Sequence, residues 1–280
     1  MKKSLSLILA GGLLTLMAAC GESEATGEGD LSLEEILSNS ASAAEDIESY
    51  SFVTEVQQTM GMDEESMSFD MSTEADVLVE PSIFHQKTTM DMGELGGEMS
   101  YESYFSEEHG LFMEDPLTGE WMKYPENLME DILSMSEAQM SPSEQLVAFQ
   151  DNINDLSLEE DENYYKLNLA GDGEEMKEIV EQIGNIAGDG MDEMFTQMMS
   201  ELEIHDLVYE IFIDKETFHP AEATVFINMT IEMLGQSMTL EQNADIYFSS
   251  FNGLEEFEVP QEIIDNAEEL SEEDAMGIFN

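Results

Sequence analysis

The chain has 280 residues, a length that suits one large domain or two small ones. Hydrophobic residues make up 42% of it and aromatic residues 8%, so the composition supports a packed core and argues against a wholly disordered chain. Asp and Glu number 65 against seven lysines and no arginine, for a formal net charge of −58. This excludes the basic surface that binding to nucleic acid needs, and it argues against attraction to anionic lipid headgroups.

The N-terminal segment has the pattern of a secretory signal. Lysines precede an apolar stretch over residues 5–19, which is too short for a comfortable membrane span. The stretch ends in Ala18-Ala19-Cys20, which resembles the bacterial lipobox, although Met17 stands where leucine is usual. In a lipobox the peptide is cut before the cysteine, whose thiol is acylated. We therefore predict a signal peptide over residues 1–19 and lipidation of Cys20; the alternative is an ordinary signal peptide in which this cysteine is incidental.

Residues 20–30, the acylated cysteine and the segment that follows it, predict a flexible acidic tether. Cys20 is the only cysteine of the chain, so no disulfide forms within it. Two acyl chains anchor a protein stably where one is marginal. We expect one folded domain over residues 31–266, an acidic tail over 267–280, and a location on the extracytoplasmic face of the cell membrane. Cations of a saline or alkaline habitat would screen the surface charge there.

The folded part begins with a predicted helix over residues 32–47. Ser32 and Glu35 have capping-box spacing, and apolar residues recur behind them at helical period, namely Leu33, Ile36, Leu37, Ala44 and Ile47. Alternating apolar residues then predict strands in three groups separated by turns at 61–63, 80–82 and 93–97. The groups are Met67, Phe69, Met71, Ala75, Val77 and Val79; Phe84, Met90 and Met92; and Met99, Tyr101 and Phe105.

The middle of the chain combines a hairpin with two helical inserts. Residues 111–114 and 120–123 predict the hairpin, and Trp121 beside its turn would either line a cavity mouth or plug the end of a barrel. A first helical insert is expected from Leu128 to Phe149, with Pro142 at the first position of a restarted helix. Residues 163–170 predict a strand, and residues 173–200 predict a second helical insert.

The C-terminal third has the most regular alternation of apolar and polar residues. The apolar positions are Tyr209, Ile211 and Ile213; Val225, Ile227, Met229, Ile231 and Met233; and Met238, Leu240, Ala244, Ile246 and Phe248. One-sided alternation with short turns predicts an antiparallel sheet that is dry on one face and wet on the other. Together these elements predict an α+β fold. Its curved antiparallel sheet, a half-barrel of about ten or eleven strands, is closed by the N-terminal helix and the helical inserts.

This layout resembles the LolA/LppX-type lipoprotein-carrier fold. More closely, the chain resembles a family of lipoproteins of Gram-positive, Bacillus-type bacteria to which no activity is assigned. The resembling segments are residues 18–20, 119–123 (GEWMK), 143–146 (SEQL), 213–217 (IDKET), 238–243 (MTLEQN) and 259–263 (VPQEI), and the resemblance covers residues 30–266. By analogy, the carrier-type fold implies a hydrophobic ligand, and the family supplies no catalytic residues to transfer.

Nothing local in the sequence supports catalysis or a resident metal or cofactor. There is no Gly-x-Ser-x-Gly motif, and the histidines, His85, His109, His205 and His219, are scattered. No His-x-His or HExxH pattern occurs, and the acidic segment 188–193 lacks the oxygen spacing of a Ca²⁺ loop. Pairs of carboxylates carry no signal in a chain this acidic. We expect a protein that is not an enzyme; diffuse cation buffering at the envelope is a functional alternative.

Methionine is the most informative residue type, with 23 in the chain. The pairs Met60/Met62, Met90/Met92 and Met198/Met199 allow a Cu(I) site, because clustered thioethers bind that ion. Methionine also replaces leucine in filled cores, and its flexible side chain suits an adaptable apolar cavity. We predict a concave face that binds a lipid or another apolar envelope molecule. Its residues are Phe69, Met71, Met90, Tyr101, Ile227, Met229, Ile231 and Phe248. The alternative is a structural lipoprotein with a filled core and an envelope protein as its partner.

Overall fold

The structure is a computed structural model that describes residues 31–62, 65–93, 96–125, 146, 156–171, 173, 202–233 and 236–271. Its helices are α1 (Leu33–Glu45) and α2 (Gln261–Asn266). Its strands are β1 (Ser49–Met62), β2 (Glu65–Leu78), β3 (Ile83–Asp91), β4 (Glu98–Ser106), β5 (Gly110–Glu114), β6 (Trp121–Lys123), β7 (Leu156–Glu160), β8 (Tyr164–Gly171), β9 (Leu202–Asp214), β10 (Pro220–Met233), β11 (Gln236–Ser249) and β12 (Glu268–Glu269).

All twelve strands belong to one sheet, in the order β12-β6-β5-β4-β3-β2-β1-β11-β10-β9-β8-β7. Every neighbouring pair is antiparallel except β12 and β6. Strands β1 to β6 run outward in sequence order on one side, and β11 to β7 run outward on the other. The two halves join where β1 pairs with β11, from Ser51 opposite Ser249 to Met62 opposite Met238.

The sheet has two chemically different faces. Directly opposite residues of antiparallel strands point to the same side, so the register assigns each residue to a face. We call the side that carries Phe52, Phe248 and Ala75 the inner face, and the opposite side the outer face. The alternation predicted for β2, β4, β9, β10 and β11 places the apolar residues of each strand on the inner face, because the side-chain period of a strand is two.

Helix α1 begins where the capping box predicts. The Ser32 hydroxyl accepts a hydrogen bond from the Glu35 amide at 3.3 Å, and the Ser32 amide donates to the Glu35 carboxylate at 2.9 Å. The same contacts lower the pKa of Glu35, through the backbone bond with Ser32 first and the side-chain bond second. Ile36, Leu37 and Ala44 are buried along one side, so the predicted apolar side of the helix is the buried one.

The second helix packs on the outer face. Ile263 of α2 and the preceding Val259 bury Phe112 of β5, with Tyr104 and Trp121 at the edge of the cluster. After α2 the chain adds β12 beside β6, and Leu270 packs against a separate cluster of Phe105, Leu111 and Tyr124. Among the described residues, no helix is both long and apolar enough to cross a membrane.

Several fold predictions differ from the structure. The sheet has twelve strands instead of ten or eleven, and the described residues form a mostly-β fold with two helices. Strand β12 lies in the stretch predicted as acidic tail, because backbone pairing with β6 and burial of Leu270 hold residues 268–270. The helical inserts lie outside the described residues, except Leu146, which is helical and fully buried. Residues 1–30, including Cys20, also lie outside them.

Candidate functional site

The inner face changes character along the strands. At the end where β1 begins it is tightly covered: Phe52 is 1% exposed, and Ile211 and Ala223 are fully buried. At the other end, beside the β1–β2 and β3–β4 connections, the apolar side chains of β2, β3 and β4 are only half-buried and Met67 is 50% exposed. On the β9 and β10 side of that end, Leu202, Ile204 and Ile231 are buried. One end of the inner face therefore forms a core, and the other presents apolar side chains that are incompletely covered.

Methionines occupy two rows of the inner face at this open end, which together we call the methionine patch. It consists of Met60, Met67, Met71, Met90, Met99 and Met229. The register lines up Met71, Met90 and Met99 across β2, β3 and β4. A second row runs from Met67 through Met60 and Leu240 to Met229, across β2, β1, β11 and β10. Between these rows lies the row of Phe69, Gln58, Gln242 and Ile227. Unbranched, polarizable methionine side chains on both sides of it make a surface that can adapt to an apolar molecule.

The eight residues predicted for a concave ligand-binding face all lie on the inner face. Phe69 and Ile227 stand in one row, and Met71, Met90 and Met229 belong to the methionine patch. These five and Tyr101 are half-buried, whereas Ile231 and Phe248 are each 7% exposed. Phe248 lies at the covered end, where its ring centroid is 6.3 Å from that of Tyr50. That the residues form a binding site stays a prediction.

Charge is strongly segregated between the two faces. The inner-face positions of β1, β3, β4, β9, β10 and β11 hold no Asp, Glu, Lys or Arg. The outer face carries acidic residues in adjacent strands, such as Glu55 opposite Asp245. Among them, the pKa of Glu222 is raised by burial first and by Asp245 and Glu210 second. An uncharged surface this large, in a chain with 65 acidic residues, follows from the strand period.

Three uncharged polar side chains on the inner face are hydrogen-bonded to one another. The Thr73 and Thr88 hydroxyls lie 3.1 Å apart, and the Gln86 amide donates to the Thr88 hydroxyl at 3.1 Å. Thr88 is 1% exposed, so this chain of bonds lies within the covered part of the face. It satisfies groups whose burial would otherwise cost stability. Half-buried Thr54, one register step from Thr73, extends the polar line toward β11.

Titratable groups on the outer face have structural partners. The His85 ring nitrogen Nε2 lies 3.1 Å from Glu102 Oε2, and its ring stacks on Tyr104 with centroids 4.2 Å apart. Lys166 donates to Glu210 at 2.7 Å, and this hydrogen bond raises the pKa of Lys166. Burial first and the Glu102 charge second raise the pKa of Tyr104. These contacts tie neighbouring strands together.

Metal binding has no support in the described residues. No group of three or more His, Cys, Asp or Glu among them has a geometry that could hold a metal ion. Met60 and Met90 of the proposed copper pairs lie on the inner face, Met92 follows β3, and residues 198–199 lie outside the described part. A copper site stays a hypothesis. Trp121 neither lines the methionine patch nor plugs an end of the inner face, because it packs on the outer face beside Tyr104, with ring centroids 5.7 Å apart.

The structure also shows two clefts that the sequence pattern does not predict. They have volumes of about 760 and 470 Å³ and share Pro81, Ile83 and Glu258. Both lie at the covered end of the sheet, where the chain after β11 crosses the β2–β3 turn. Carboxylates such as Glu107 and Glu256 line them. Because the clefts form between segments far apart in the chain, no local signal marks them.

The described residues thus define an open, mostly-β antiparallel sheet with one largely apolar face and one acidic face. Residues 32–268 match the protein family DUF6612, a family of unknown function, and the chain belongs to this family. The match covers nearly the whole segment expected to fold as one domain. A Bacillus-type origin stays a prediction. No protein with curated information matches the chain.

Solved structures show only distant likeness to this sheet. A DUF1329 family protein from Desulfovibrio piger has 8% identity and a TM-score of 0.27, covering 79% of this chain and 94% of its own. A domain named for outer membrane lipoprotein sorting, from Vibrio parahaemolyticus, has 12% identity and a TM-score of 0.30, with coverages of 82% and 97%. A β-barrel-like DUF1849 protein from Brucella abortus has 12% identity and a TM-score of 0.20, with coverages of 72% and 98%. At these scores the likeness establishes neither a shared fold nor a shared ligand.

Proposed function

We propose that this protein is a lipid-anchored extracytoplasmic lipoprotein that binds a lipid or another hydrophobic envelope molecule on the methionine patch. One observation carries the proposal: this patch consists of apolar side chains that are incompletely covered, in a chain with 65 acidic residues. Large apolar surfaces that remain incompletely covered mark sites for ligands or partners. The predicted curvature of the sheet would turn this end of the inner face into a pocket.

The energetics of apolar burial are sufficient for such a ligand. Each methylene removed from water contributes about 0.8 kcal/mol, so ten methylenes contribute about 8 kcal/mol before the cost of association. A net binding free energy of about 8 kcal/mol corresponds to about micromolar affinity, so a ligand of that affinity must bury more than ten methylenes once the cost of association is included. Flexible methionine side chains can follow the shape of an acyl chain without directional contacts. Binding to Met71, Met90 and Met229 therefore depends on burial of apolar surface and needs no hydrogen bond to the ligand.

We propose a binding role in place of catalysis. Among the side chains that the structure describes, the polar groups of the inner face near the methionine patch are those of tyrosine, threonine and glutamine, and none is an imidazole. The register also places Glu65 of β2 on this side of the sheet, opposite Met62. On the outer face His85 pairs with Glu102, and His205 lies 2.8 Å from the Thr230 hydroxyl. Such pairs are typical of stabilising contacts between strands.

The anchor is proposed from Cys20 and the small residues before it. Growth with an alkyne analogue of palmitate should label the wild-type chain and leave a Cys20→Ala variant unlabelled. Mass spectrometry of the N-terminal peptide should show a diacylated cysteine as the first residue. An unmodified thiol at this position in mature protein isolated from membranes would contradict the anchor.

The ligand proposal is tested by titrating the full chain carrying Cys20→Ser with N-phenyl-1-naphthylamine, an uncharged probe that fluoresces in apolar surroundings. We expect saturable binding. Met90→Asn removes an apolar side chain from the patch and should weaken binding of the probe about fivefold to tenfold. A decrease of this size is roughly what losing the partial burial of one apolar side chain would cause.

The matched control is Thr89→Asn, next to Met90 on the same strand but on the outer face. It should leave probe affinity unchanged, and both variants should keep the wild-type circular dichroism spectrum. Absence of saturable binding, or equal weakening by the two variants, would contradict the proposed site. Absence of binding together with specific capture of an envelope protein would favour the alternative of a structural lipoprotein.

A further inference from the structure

The described part of the inner face has no cation to pair with an anionic ligand. Within the part of the chain that the structure describes, Lys87, Lys123 and Lys166 lie on the outer face. Lys215, beyond β9, already donates to Glu160 Oε2 and to the Asp161 carbonyl, each at 2.7 Å. An anionic headgroup placed on the methionine patch would therefore find no described counter-ion on that face, and burying a charge without a partner is costly.

Carboxylates also lie at the open end of the sheet, on its outer face. Asp70, Asp91 and Glu98 are side by side across β2, β3 and β4, and all three are exposed. Each is one residue nearer the open end than Met71, Met90 or Met99 of the same strand, and so points to the outer face beside the patch. A headgroup left in water at this end would meet their negative charges, within a protein of net charge −58.

The half-buried polar side chains near the methionine patch are uncharged. They are Thr54, Gln58, Gln86, Tyr101 and Gln242. The row that joins Phe69 to Ile227 contains Gln58 and Gln242, so amide groups lie between the two apolar ends of that row. Hydroxyl and amide groups can donate to and accept from an ester or an alcohol, and they do not neutralise a phosphate or a carboxylate.

We propose that the ligand of the methionine patch carries no anionic group, and that the protein takes uncharged lipids with hydroxyl or ester ends and rejects fatty acids and anionic phospholipids. This inference rests on the proposed function, because it specifies the ligand of the same surface. The selectivity comes from placement: the strand period keeps every described lysine off the patch, while Asp70, Asp91 and Glu98 lie at the same end on the outer face.

The test uses two competitors that differ by one phosphate, 1-oleoylglycerol and 1-oleoyl lysophosphatidic acid. Each displaces N-phenyl-1-naphthylamine from the full chain carrying Cys20→Ser, at pH 8, below the concentration at which the competitor forms micelles. In 0.1 M salt the uncharged competitor should bind at least about tenfold more tightly. In 1 M salt the difference should shrink, since the Debye length falls from about 10 Å to about 3 Å.

A matched pair of variants locates the cause of the selectivity. Met67→Lys places a cation on the inner face of the sheet, at a side chain that is 50% exposed. Ser66→Lys places a cation at the preceding residue, which is exposed on the outer face. Both variants change the net charge equally. Met67→Lys should increase the affinity for lysophosphatidic acid about tenfold relative to the affinity for oleoylglycerol. Ser66→Lys should leave the ratio of the two affinities nearly unchanged.

The outcomes separate this inference from the function on which it rests. Displacement of the probe by both competitors with equal affinity would overturn the charge selectivity and leave hydrophobic binding intact. Equal effects of the two lysine variants would overturn the assignment of selectivity to the inner face. A probe that binds to no part of the chain would contradict the proposed function itself.

Discussion

Replacement of Phe52 by alanine tests whether the inner face is the core at the covered end of the sheet. Phe52 is 1% exposed on β1, which pairs with β2 on one side and β11 on the other. Its direct neighbours across the strands are Phe248 and Ala75, and its ring centroid is 6.3 Å from that of Tyr50. Losing a buried phenylalanine ring in such surroundings costs about 3–5 kcal/mol.

That loss is a large part of the stability of a domain, which is about 5–15 kcal/mol. In urea, followed by far-ultraviolet circular dichroism, we expect the unfolding midpoint of Phe52→Ala to fall by about 1.5 M. Val53→Ala, on the outer face of the same strand, is the control and should cost about 1 kcal/mol or less. Equal losses in the two variants would show that the face assignment of β1 is wrong.

Three further predictions concern stability, each measured by urea unfolding. Burial first, and the charges of Asp245 and Glu210 second, raise the pKa of Glu222 in the folded state above its unfolded value, so its ionised carboxylate opposes folding above the folded pKa. Glu222→Gln should therefore raise the free energy of unfolding by about 0.5 kcal/mol at pH 7, a value that allows for solvent screening. At pH 3, where the carboxyl is protonated in both states, the substitution should have no effect. The buried Ser40 hydroxyl has no hydrogen-bond partner within the described structure, so Ser40→Ala should stabilise the protein by about 0.5–1 kcal/mol, and a loss would point to a partner for this hydroxyl. Leu270→Ala should cost about 1–2 kcal/mol if residues after α2 belong to the fold, and an unchanged midpoint would restore the acidic-tail prediction.

Alternation of residue types predicted the inner face well because a strand's side-chain period is a local property. Phe69, Met71 and Tyr101 were assigned to one apolar face from parity alone, and the register places them together. Helix α1 was equally local, since the cap at Ser32 and the spacing of its apolar residues lie within one short segment. Predictions of this kind need no knowledge of which strands pair.

The sequence pattern predicts strands β1 and β7 poorly, because polar residues interrupt the central strand β1 and acidic residues fill the edge strand β7. Thr54 and Gln58 interrupt the apolar parity of β1, although this strand joins the two halves of the sheet. Their burial is tolerable because neighbouring strands supply polar groups at the same level, such as Thr73 opposite Thr54 and Gln242 opposite Gln58. The sequence LSLEE of β7 is short and acidic, since it forms an edge of the sheet with one neighbour only.

The sequence predicted which residues belong to the candidate site, but not which of them lie side by side or which are covered. Parity cannot tell that Met67 and Met229 belong to one row, because that depends on β1 and β11 lying between them. Nor does it separate Phe248, which is covered, from Met90, which is half-buried. Trp121 illustrates the same limit: its position beside a turn was clear, and its packing on the outer face depends on α2.

The order of residues along the chain by itself determined which side chains share a face and kept charge off that face, because backbone geometry alternates side chains regardless of tertiary contacts. The tertiary structure decided what those faces become. Pairing of β1 with β11, segments separated by most of the chain, merges two apolar ribbons into one surface. Backbone hydrogen bonds are alike in every strand, so strand order depends on how distant side chains pack, and neither strand contains that information alone.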